Sequence, residues 1–304
     1  MQILQTKLPL GKTPLTIHQF GLGAAHIPKR GETIGIATVQ EAWQQGIRFF
    51  DTAPLYSAGY SEELIGKALK GVPRDEFVLA TKVGRLVQPD KSMVIDYSRD
   101  GILRSLDESL QRLQMDYADI LHIHDPDDHY QQALDEAFPT LDELRSQGVI
   151  KAIGSGMNQW EMLADFARNA DFDCFLLAGR YTLLEQTSLD FLRLCQEKKI
   201  GVILGGVYNS GILASDLGPE AKYNYRAAPE PILQKAKEIR DICQAHNVPL
   251  QVAALHFPLR NPGVTSMVLG AEEPSHIQQN LALFEIEVPD ALWVDLRAAG
   301  LIEE

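Results

Sequence analysis

Short apolar segments alternate with amphipathic segments along this chain, and this alternation limits the fold more than any other feature. Eight segments rich in Val, Ile and Phe have the length and continuous hydrophobicity of buried parallel strands. They cover residues 16–22, 47–51, 77–83, 117–124, 149–154, 174–178, 200–204 and 264–269. Helical patterns lie between them, such as the leucine stripe at positions 103, 106, 110 and 113. Eight strand–helix units predict an α/β fold, a closed (β/α)8 TIM barrel.

An open, doubly wound sheet is the competing architecture, and it usually carries a glycine-rich fingerprint after its first strand. Segment 21–26 has two glycines, lacks the third, and continues into a loop with Pro28. The closed barrel is therefore favoured. No shift in composition marks a second domain, so we expect residues 1–304 to form one barrel domain.

Two further local features are readable. Segments 4–8 and 14–17 flank Gly11 and Lys12, which predicts a short N-terminal β-hairpin. Ser61, followed by two glutamates, is expected to cap a helix over residues 61–69.

Charge and cysteine content narrow the choice of partner and compartment. The formal net charge of −13 at pH 7 argues against a nucleic-acid backbone or an anionic membrane as partner. Three scattered cysteines suit neither a disulfide framework nor a metal site, so we expect no metal. The sequence has no signal-peptide pattern and no apolar run long enough to span a bilayer. We therefore expect a cytoplasmic protein.

Polar side chains stand at or just beyond the ends of three of the predicted strands. They are Asp51, Tyr56, Lys82 and His124. The carboxyl ends of barrel strands form the usual active-site face, so these groups are expected to meet there. Lys82 would stabilise the phenolate of Tyr56 and lower the pKa of this phenol, and Asp51 would balance the buried ammonium. His124 would orient a substrate oxygen. His122, one pleat deeper, is expected to be a hydrogen-bonded interior group.

The same segments carry a family resemblance. Asp51-Thr52-Ala53-Pro54-Leu55-Tyr56, then Thr81-Lys82, then Leu121-His122-Ile123-His124-Asp125-Pro126 resemble the signature segments of the aldo-keto reductases. The resemblance extends over essentially the whole chain. It implies a barrel that moves a hydride between NAD(P) and a carbonyl or alcohol carbon. It also implies that Tyr56 is the acid/base, tuned by Lys82 and Asp51, while His124 orients the substrate.

The resemblance also implies a cofactor site along several strand ends. Asn158 matches the residue that binds the nicotinamide amide, while Ala178 and Gly205 replace the family's usual Gln and stacking Tyr. From the residues themselves, the glycine-rich segment 205–211 offers backbone N–H groups to a pyrophosphate. The expected cofactor-binding residues are Asn158, Gly205, Gly206, Tyr208, Ser210, Gly270, Glu272, His276 and Asn280.

The identity of the cofactor depends on charge at the adenosine end of this site. Members that use NADP commonly place a Lys where Gly270 stands and an Arg where His276 stands. Glu272 and Glu273 lie nearby and would repel a 2′-phosphate. We therefore expect NAD to be preferred, with NADP as the second choice.

The departures at 178 and 205, with the run Leu177 to Leu184, resemble one branch of the family. This branch comprises the D-threo-aldose (L-fucose) 1-dehydrogenases and their pyridoxal 4-dehydrogenase relatives. It implies that NAD(P) takes a hydride from the C1 lactol carbon of a free aldose such as L-fucose, D-arabinose or L-galactose, giving the lactone. The alternatives are lactone-forming oxidation of pyridoxal, general aldehyde reduction, and a non-catalytic NAD(P)-binding regulatory subunit.

Two expectations concern the substrate and the assembly. The partner is expected to be a small sugar or pyridoxal-like molecule, and the long loop 205–230 is expected to determine its specificity. The chain is expected to be a monomer or a weak homo-oligomer.

Overall fold

A computed structural model describes residues 2–303 and contains a closed barrel of parallel strands surrounded by helices. The strands are β1 Lys7–Pro9, β2 Thr16–His18, β3 Phe20–Gly23, β4 Phe49–Asp51, β5 Val78–Val83, β6 Arg85–Val87, β7 Met93–Ile95, β8 Ile120–His124, β9 Ala152–Met157, β10 Cys174–Ala178, β11 Gly201–Gly205, β12 Lys222–Tyr223, β13 Arg226–Ala227 and β14 Ser266–Gly270. The helices are α1 Glu32–Gln44, α2 Tyr60–Ala68, α3 Arg99–Leu113, α4 Tyr130–Gln132, α5 Phe138–Ser146, α6 Trp160–Asn169, α7 Leu189–Lys198, α8 Glu230–Ala245, α9 Leu250–Leu259, α10 Pro274–Leu283 and α11 Asp290–Ala298.

The barrel strands are adjacent in the order β3-β4-β5-β8-β9-β10-β11-β14, and β14 closes the sheet by pairing with β3. This confirms the predicted (β/α)8 fold, and each of the eight predicted segments overlaps a barrel strand. The first segment is wrong in detail because Gln19 separates two strands. Residues 16–18 pair with β1, while residues 20–23 enter the barrel.

The N-terminal hairpin closes one end of the barrel. Strands β1 and β2 are antiparallel, and Leu8 pairs with Ile17. Leu10, Leu15 and Ile17 are buried against the inward-facing side chains near the start of the barrel strands. The predicted hairpin is confirmed, with its first strand shifted to residues 7–9. With this end closed by apolar side chains, polar groups can gather at the opposite end of the barrel.

Helix α2 begins one residue earlier than expected. Gly59, with a φ of 84°, is the N-cap residue, and Ser61 lies inside the first turn. The predicted capping role of Ser61 is therefore wrong. Its hydroxyl is fully buried, donates to the carbonyl oxygen of Ala24 and lies 2.9 Å from the Thr52 hydroxyl. Tertiary contacts use this hydroxyl because α2 packs directly against the strand ends.

Within residues 2–303, no helix is long and apolar enough to cross a membrane.

Candidate active site

A buried ion pair forms the base of the site at the carboxyl ends of β4 and β5. The ammonium of Lys82 donates to both carboxylate oxygens of Asp51, at 2.9 and 2.8 Å, and to the carbonyl oxygen of Thr52 at 2.8 Å. Lys82 is 1% and Asp51 is 2% exposed, so water cannot replace these contacts. Burial alone would lower the pKa of Lys82. The opposing effect of Asp51 and Tyr56 is larger, so the pKa is raised above its ordinary value. Lys82 is therefore a fixed cation.

Tyr56 follows β4 and lies over this cation. The Lys82 ammonium is 4.8 Å from the centroid of the Tyr56 ring. Burial raises the pKa of the phenol above its ordinary value, and Lys82 opposes this shift without cancelling it. The expectation that Lys82 brings the pKa of Tyr56 below its ordinary value is therefore wrong for this structure. Desolvation of the phenolate outweighs the attraction of one ammonium, itself paired with Asp51.

His124 ends β8 and faces Tyr56. The two rings meet edge to face, with centroids 6.0 Å apart. Burial, and then the charges of Lys82 and Arg85, lower the pKa of His124 well below its ordinary value, so the imidazole is neutral near pH 7. Its Nδ1 is buried and has no hydrogen-bond partner within residues 2–303, and its Nε2 lies 3.6 Å from a carboxylate oxygen of Asp125. A neutral ring in this position can bind a substrate oxygen without adding charge.

His122 lies below this cluster, inside the barrel. It is fully buried as expected, but the expected hydrogen bonds are absent, since both ring nitrogens lack partners among the described residues. Burial, with a smaller contribution from Lys82, lowers its pKa to about 3. A Cβ at Gly154 would lie 2.1 Å from its Nδ1, so the glycine on β9 provides the space for the ring. The imidazole acts here as a packing group.

A second buried network supports β5 from the helical side. The hydroxyl of Thr81, next to Lys82, donates to Glu62 at 2.6 Å, and Arg112 donates to the other oxygen of Glu62 at 2.7 Å. Glu62 is fully buried. The network joins α2, α3 and β5, so it fixes the strand that carries the ammonium.

The loop after β11 has the backbone geometry that suits an anion. Gly206, Asn209, Ser210 and Gly211 have positive φ angles of 62°, 46°, 60° and 95°. Among the described residues, the backbone N–H groups of Val207, Tyr208 and Ser210 make no hydrogen bond. A cofactor pyrophosphate therefore fits this loop.

Side chains around this loop are partly committed to other contacts. Asn158, just after β9, donates its amide N–H to the carbonyl oxygen of Ala178 at 2.9 Å, and its side-chain oxygen accepts no hydrogen bond from the part of the chain that the structure describes. Ala178 is paired in register with Gly205, so the two segments predicted to bind the cofactor adjoin. The hydroxyl of Ser210 accepts a hydrogen bond from the backbone N–H of Tyr225 at 3.0 Å. Tyr208 is half-buried against the hydrophobic core.

The remaining predicted cofactor residues lie at the end of β14 and on α10, which carries His276 and Asn280. Cations that the sequence pattern did not reveal lie beside them. Lys29 is 2.7 Å from Glu272, and Arg30 is 3.1 Å from Glu273. The two carboxylates therefore repel a phosphate less strongly than their charge alone suggests.

The long loop folds over the rim next to Asn158. Its strands β12 and β13 form a small hairpin, anchored where the Tyr223 hydroxyl donates to Glu185. A cavity of about 510 Å³ separates this hairpin from the barrel. It is lined by Asn158, Arg180, Tyr223, Asn224, Tyr225, Arg226, Ala227 and Pro229.

Sequence reasoning missed the groups that hold the site in place. These are the carbonyl oxygen of Thr52 and the Glu62–Arg112 pair, in addition to Lys29 and Arg30. A backbone carbonyl has no sequence signal. Lys29 and Glu272 are 243 residues apart, and no local pattern links them.

Comparisons with known proteins agree with the barrel fold. The family model described as "Aldo/keto reductase family" matches residues 20–300. A pyridoxal 4-dehydrogenase of Microbacterium luteolum is 38% identical, with 97% of this chain and 98% of that protein covered. A D-threo-aldose 1-dehydrogenase of a Pseudomonas species is 38% identical, with 95% of each chain covered. The solved holo form of an aldo-keto reductase from Bacillus halodurans has a TM-score of 0.83 at 26% identity, covering 98% of this chain and 96% of that one.

Proposed function

This chain belongs to the aldo/keto reductase family of oxidoreductases, and on that premise we propose that it oxidises the C1 lactol carbon of a free aldose to a lactone with NAD⁺. The observation that carries the proposal is the buried Lys82–Asp51 pair beneath Tyr56, with the neutral His124 opposite. The aldose is suggested by the D-threo-aldose 1-dehydrogenase, which is 38% identical over 95% of the chain.

In the proposed reaction Tyr56 exchanges the proton. During oxidation the phenolate of Tyr56, stabilised by Lys82, accepts the proton of the C1 hydroxyl and becomes the neutral phenol. In the reverse direction the protonated phenol, favoured by its raised pKa, donates to the carbonyl oxygen. His124 orients the same substrate oxygen through its ring. The ring does so in its neutral form, because the pKa of the imidazole lies well below its ordinary value.

Members of this family use nicotinamide cofactors, which when bound take the hydride from the substrate carbon. We assign the pyrophosphate to the free N–H groups around Tyr208 and Ser210, with Gly205 and Gly206 leaving room for the approach. The free oxygen of Asn158 suits the carboxamide.

The adenosine end is assigned to Gly270, Glu272, His276 and Asn280, with NAD preferred over NADP. The preference rests on the missing side chain at Gly270 and on His276, whose Nδ1 accepts the backbone N–H of Glu272 at 3.3 Å. Neither residue offers a cation to a 2′-phosphate. The ratio of kcat/KM for NAD⁺ and NADP⁺ is the test, and a higher value with NADP⁺ contradicts the preference.

The substrate is tested by following NADH formation. L-fucose, D-arabinose, L-galactose, L-xylose and pyridoxal are compared at equal concentration. We expect one of the aldoses to give the highest kcat/KM. If simple aldehydes are reduced and no aldose is oxidised, the general reductase alternative replaces the proposal. If NADH binds saturably and nothing is turned over, the regulatory-subunit alternative replaces it.

Oxidation of pyridoxal is the second candidate function. A pyridoxal 4-dehydrogenase is as similar in identity, 38%, as the aldose enzyme. The cyclic hemiacetal of pyridoxal presents the same lactol carbon to Tyr56. A kcat/KM for pyridoxal above that of every aldose would favour this candidate.

A further inference from the structure

Asp125, which follows His124, has an unusual position at the opening of the site. Its φ of 41° is in the left-handed region, although it is not a glycine and precedes Pro126. A residue before proline normally adopts an extended conformation, so this backbone is strained. Strain of this kind persists where surrounding contacts enforce it, and it occurs often at functional positions.

Three groups hold the backbone in this conformation. The N–H of Asp125 donates to the carbonyl oxygen of Gly156 at 3.0 Å. Its own carbonyl oxygen accepts from the Tyr97 hydroxyl at 3.0 Å and from Arg85 at 2.8 Å. Tyr97 is fully buried, so the arrangement is rigid. The backbone position of the residue is therefore fixed from three sides.

The carboxylate of Asp125, in contrast, has no hydrogen-bond donor among the described residues. Its nearest cationic or imidazole nitrogens are Nε2 of His124, at 3.6 Å, and Nη2 of Arg85, at 3.9 Å. The side chain is 28% exposed, so a ligand can reach it. The other buried carboxylates of the barrel are paired, such as Asp51 with Lys82 and Asp119 with Arg74. Asp125 thus presents an acceptor without a donor among the described residues, beside the His124 ring to which the proposed function assigns the substrate oxygen.

We propose that Asp125 determines specificity by accepting a hydrogen bond from a substrate hydroxyl on the carbon next to the reacting carbon. This inference rests on the proposed function and adds a substrate feature to it. A hydroxyl next to the reacting carbon lies close to the oxygen bound by His124, as the position of Asp125 requires. A neutral donor suits the site better than a cationic one, because Lys82 and Arg85 already supply positive charge there. The site then selects α-hydroxylated lactols and aldehydes.

The test compares substrates with and without the hydroxyl. D-glyceraldehyde and propanal have the same carbon chain, and only glyceraldehyde carries hydroxyls. Their NADH-dependent reduction is measured beside the oxidation of the best aldose. The variants are Asp125→Asn, which tolerates the left-handed conformation and removes the charge, and Asp125→Gly, which removes the acceptor without strain. Asp127→Asn is the matched control, because Asp127 also has a positive φ and also contacts Arg85.

We expect Asp125→Gly to lose roughly 10- to 100-fold in kcat/KM for the aldose and glyceraldehyde, the scale of a hydrogen bond to a charged group, and Asp125→Asn to lose less, because its amide oxygen still accepts. Propanal should change by no more than about threefold, and Asp127→Asn should resemble the wild type for all three substrates. Thermal unfolding checks that the variants fold.

Each other result has a definite meaning. Equal losses for glyceraldehyde and propanal overturn the proposal, because Asp125 then acts through His124 or through the fold. Unchanged kinetics, or a wild type that does not prefer glyceraldehyde to propanal, also overturn it. The wild type could oxidise no aldose and still prefer glyceraldehyde to propanal. If the Asp125 variants then lose this preference, the result contradicts the proposed function and supports the role of Asp125. A wild type that turns over none of these compounds overturns both.

Discussion

At Tyr56, burial and the ammonium of Lys82 act on the pKa of one phenol in opposite directions, and burial has the larger effect. The phenol is therefore protonated near neutral pH. A protonated phenol is ready to donate in the direction of reduction, whereas oxidation needs the phenolate and should become faster as pH rises. The same residue can serve both directions because Lys82 limits the cost of the phenolate.

Replacement of this phenol tests its role. We expect Tyr56→Phe to lower kcat by roughly 10² or more, because the proton then has no acceptor, while the Kd for NADH stays nearly unchanged. Stopped-flow turnover and fluorescence titration measure the two quantities. Tyr60→Phe is the matched control, since the Tyr60 hydroxyl at the start of α2 donates to Glu32 at 3.3 Å. A near-normal kcat in Tyr56→Phe would remove the residue from the mechanism.

The contribution of Lys82 is tested by the pH dependence of oxidation. We expect the double variant Asp51→Asn, Lys82→Met to move the rise of kcat/KM to higher pH, because the phenolate loses its cation. The rate at a fixed pH then falls roughly 10-fold for each pH unit of movement. Removing both partners avoids a lone buried charge, which would itself destabilise the fold.

Lys151→Met provides the control for this experiment. Lys151 also pairs with a buried carboxylate, since its ammonium lies 2.7 Å from Asp119. It directly precedes the first residue of β9 and therefore lies away from the site. The pH profile of kcat/KM for Lys151→Met should match that of the wild type. If the double variant also keeps the wild-type profile, Lys82 and Tyr56 are not coupled.

At the scale of elements, the close contact of α2 with α3 fixes the geometry around Tyr56. Gly66 on α2 lies against the end of α3, where an added Cβ would come 2.2 Å from the carbonyl oxygen of Leu113. The neighbouring Glu62–Arg112 pair joins the same two helices and reaches Thr81 on β5. Helix packing and the position of Lys82 are thus connected through one buried carboxylate.

A single methyl group tests this contact. Alanine has the higher helix propensity by about 1 kcal/mol, so Gly66→Ala would be stabilising if the helix surface were open. Because backbone atoms fill the space, we expect it to destabilise the protein by about 3 kcal/mol, seen as a fall in Tm of several degrees. Gly23→Ala is the control, since its Cβ would meet Val268 at an ordinary 3.5 Å. An unchanged or higher Tm in Gly66→Ala would contradict the packing argument.

At the scale of the whole molecule, several imidazoles in the barrel, the N-terminal hairpin and α9 lose hydration on folding, so charging them in the folded protein is costly. Burial is the main cause that lowers the pKa of His18, His122, His124 and His256. In the unfolded chain each binds a proton near its ordinary pKa of 6.5. Below that pH the unfolded state takes up protons that the folded state refuses, so stability decreases as the pH falls.

Among these imidazoles, His122 affects the free energy of unfolding over the best-defined pH range. The pKa of His122 is about 3 in the folded protein, against an ordinary value of 6.5 in the unfolded chain. Its contribution to the free energy of unfolding is therefore fully present above pH 6.5 and is lost as the pH falls from 6.5 to about 3. We expect His122→Leu to reduce the slope of the unfolding free energy against pH by about 1.4 kcal/mol per pH unit between pH 6 and 4. Urea unfolding at several pH values measures the slope.

His129→Gln, a substitution at an exposed position, is the control for the unfolding measurement. If His122→Leu has the wild-type slope, the imidazole binds its proton in the folded state at an ordinary pKa. Loss of an unpaired imidazole should not itself reduce stability at pH 8, because both ring nitrogens lack partners among residues 2–303.

The sequence by itself determined the barrel and the position of its polar strand ends. Strand and helix periodicity are local properties, and parallel pairing of successive strands brings Asp51, Lys82 and His124 to one end wherever the exact strand limits fall. The hairpin followed from the same local patterns. Glycines at 205 and 206 also marked the loop after β11 as a candidate cofactor site, and Gly206 has a positive φ there.

Tertiary structure alone decided the energies and partners within the site. Burial of Tyr56 reversed the expected direction of its pKa shift, and the missing partners of His122 became visible only in the closed barrel. The strained Asp125 and the pairing of Lys29 with Glu272 depend on contacts between segments far apart in the chain. Desolvation and ion pairing act through space, whereas sequence patterns act along the chain. For this reason the sequence predicted which groups meet, and the fold set their charge and their unused hydrogen bonds.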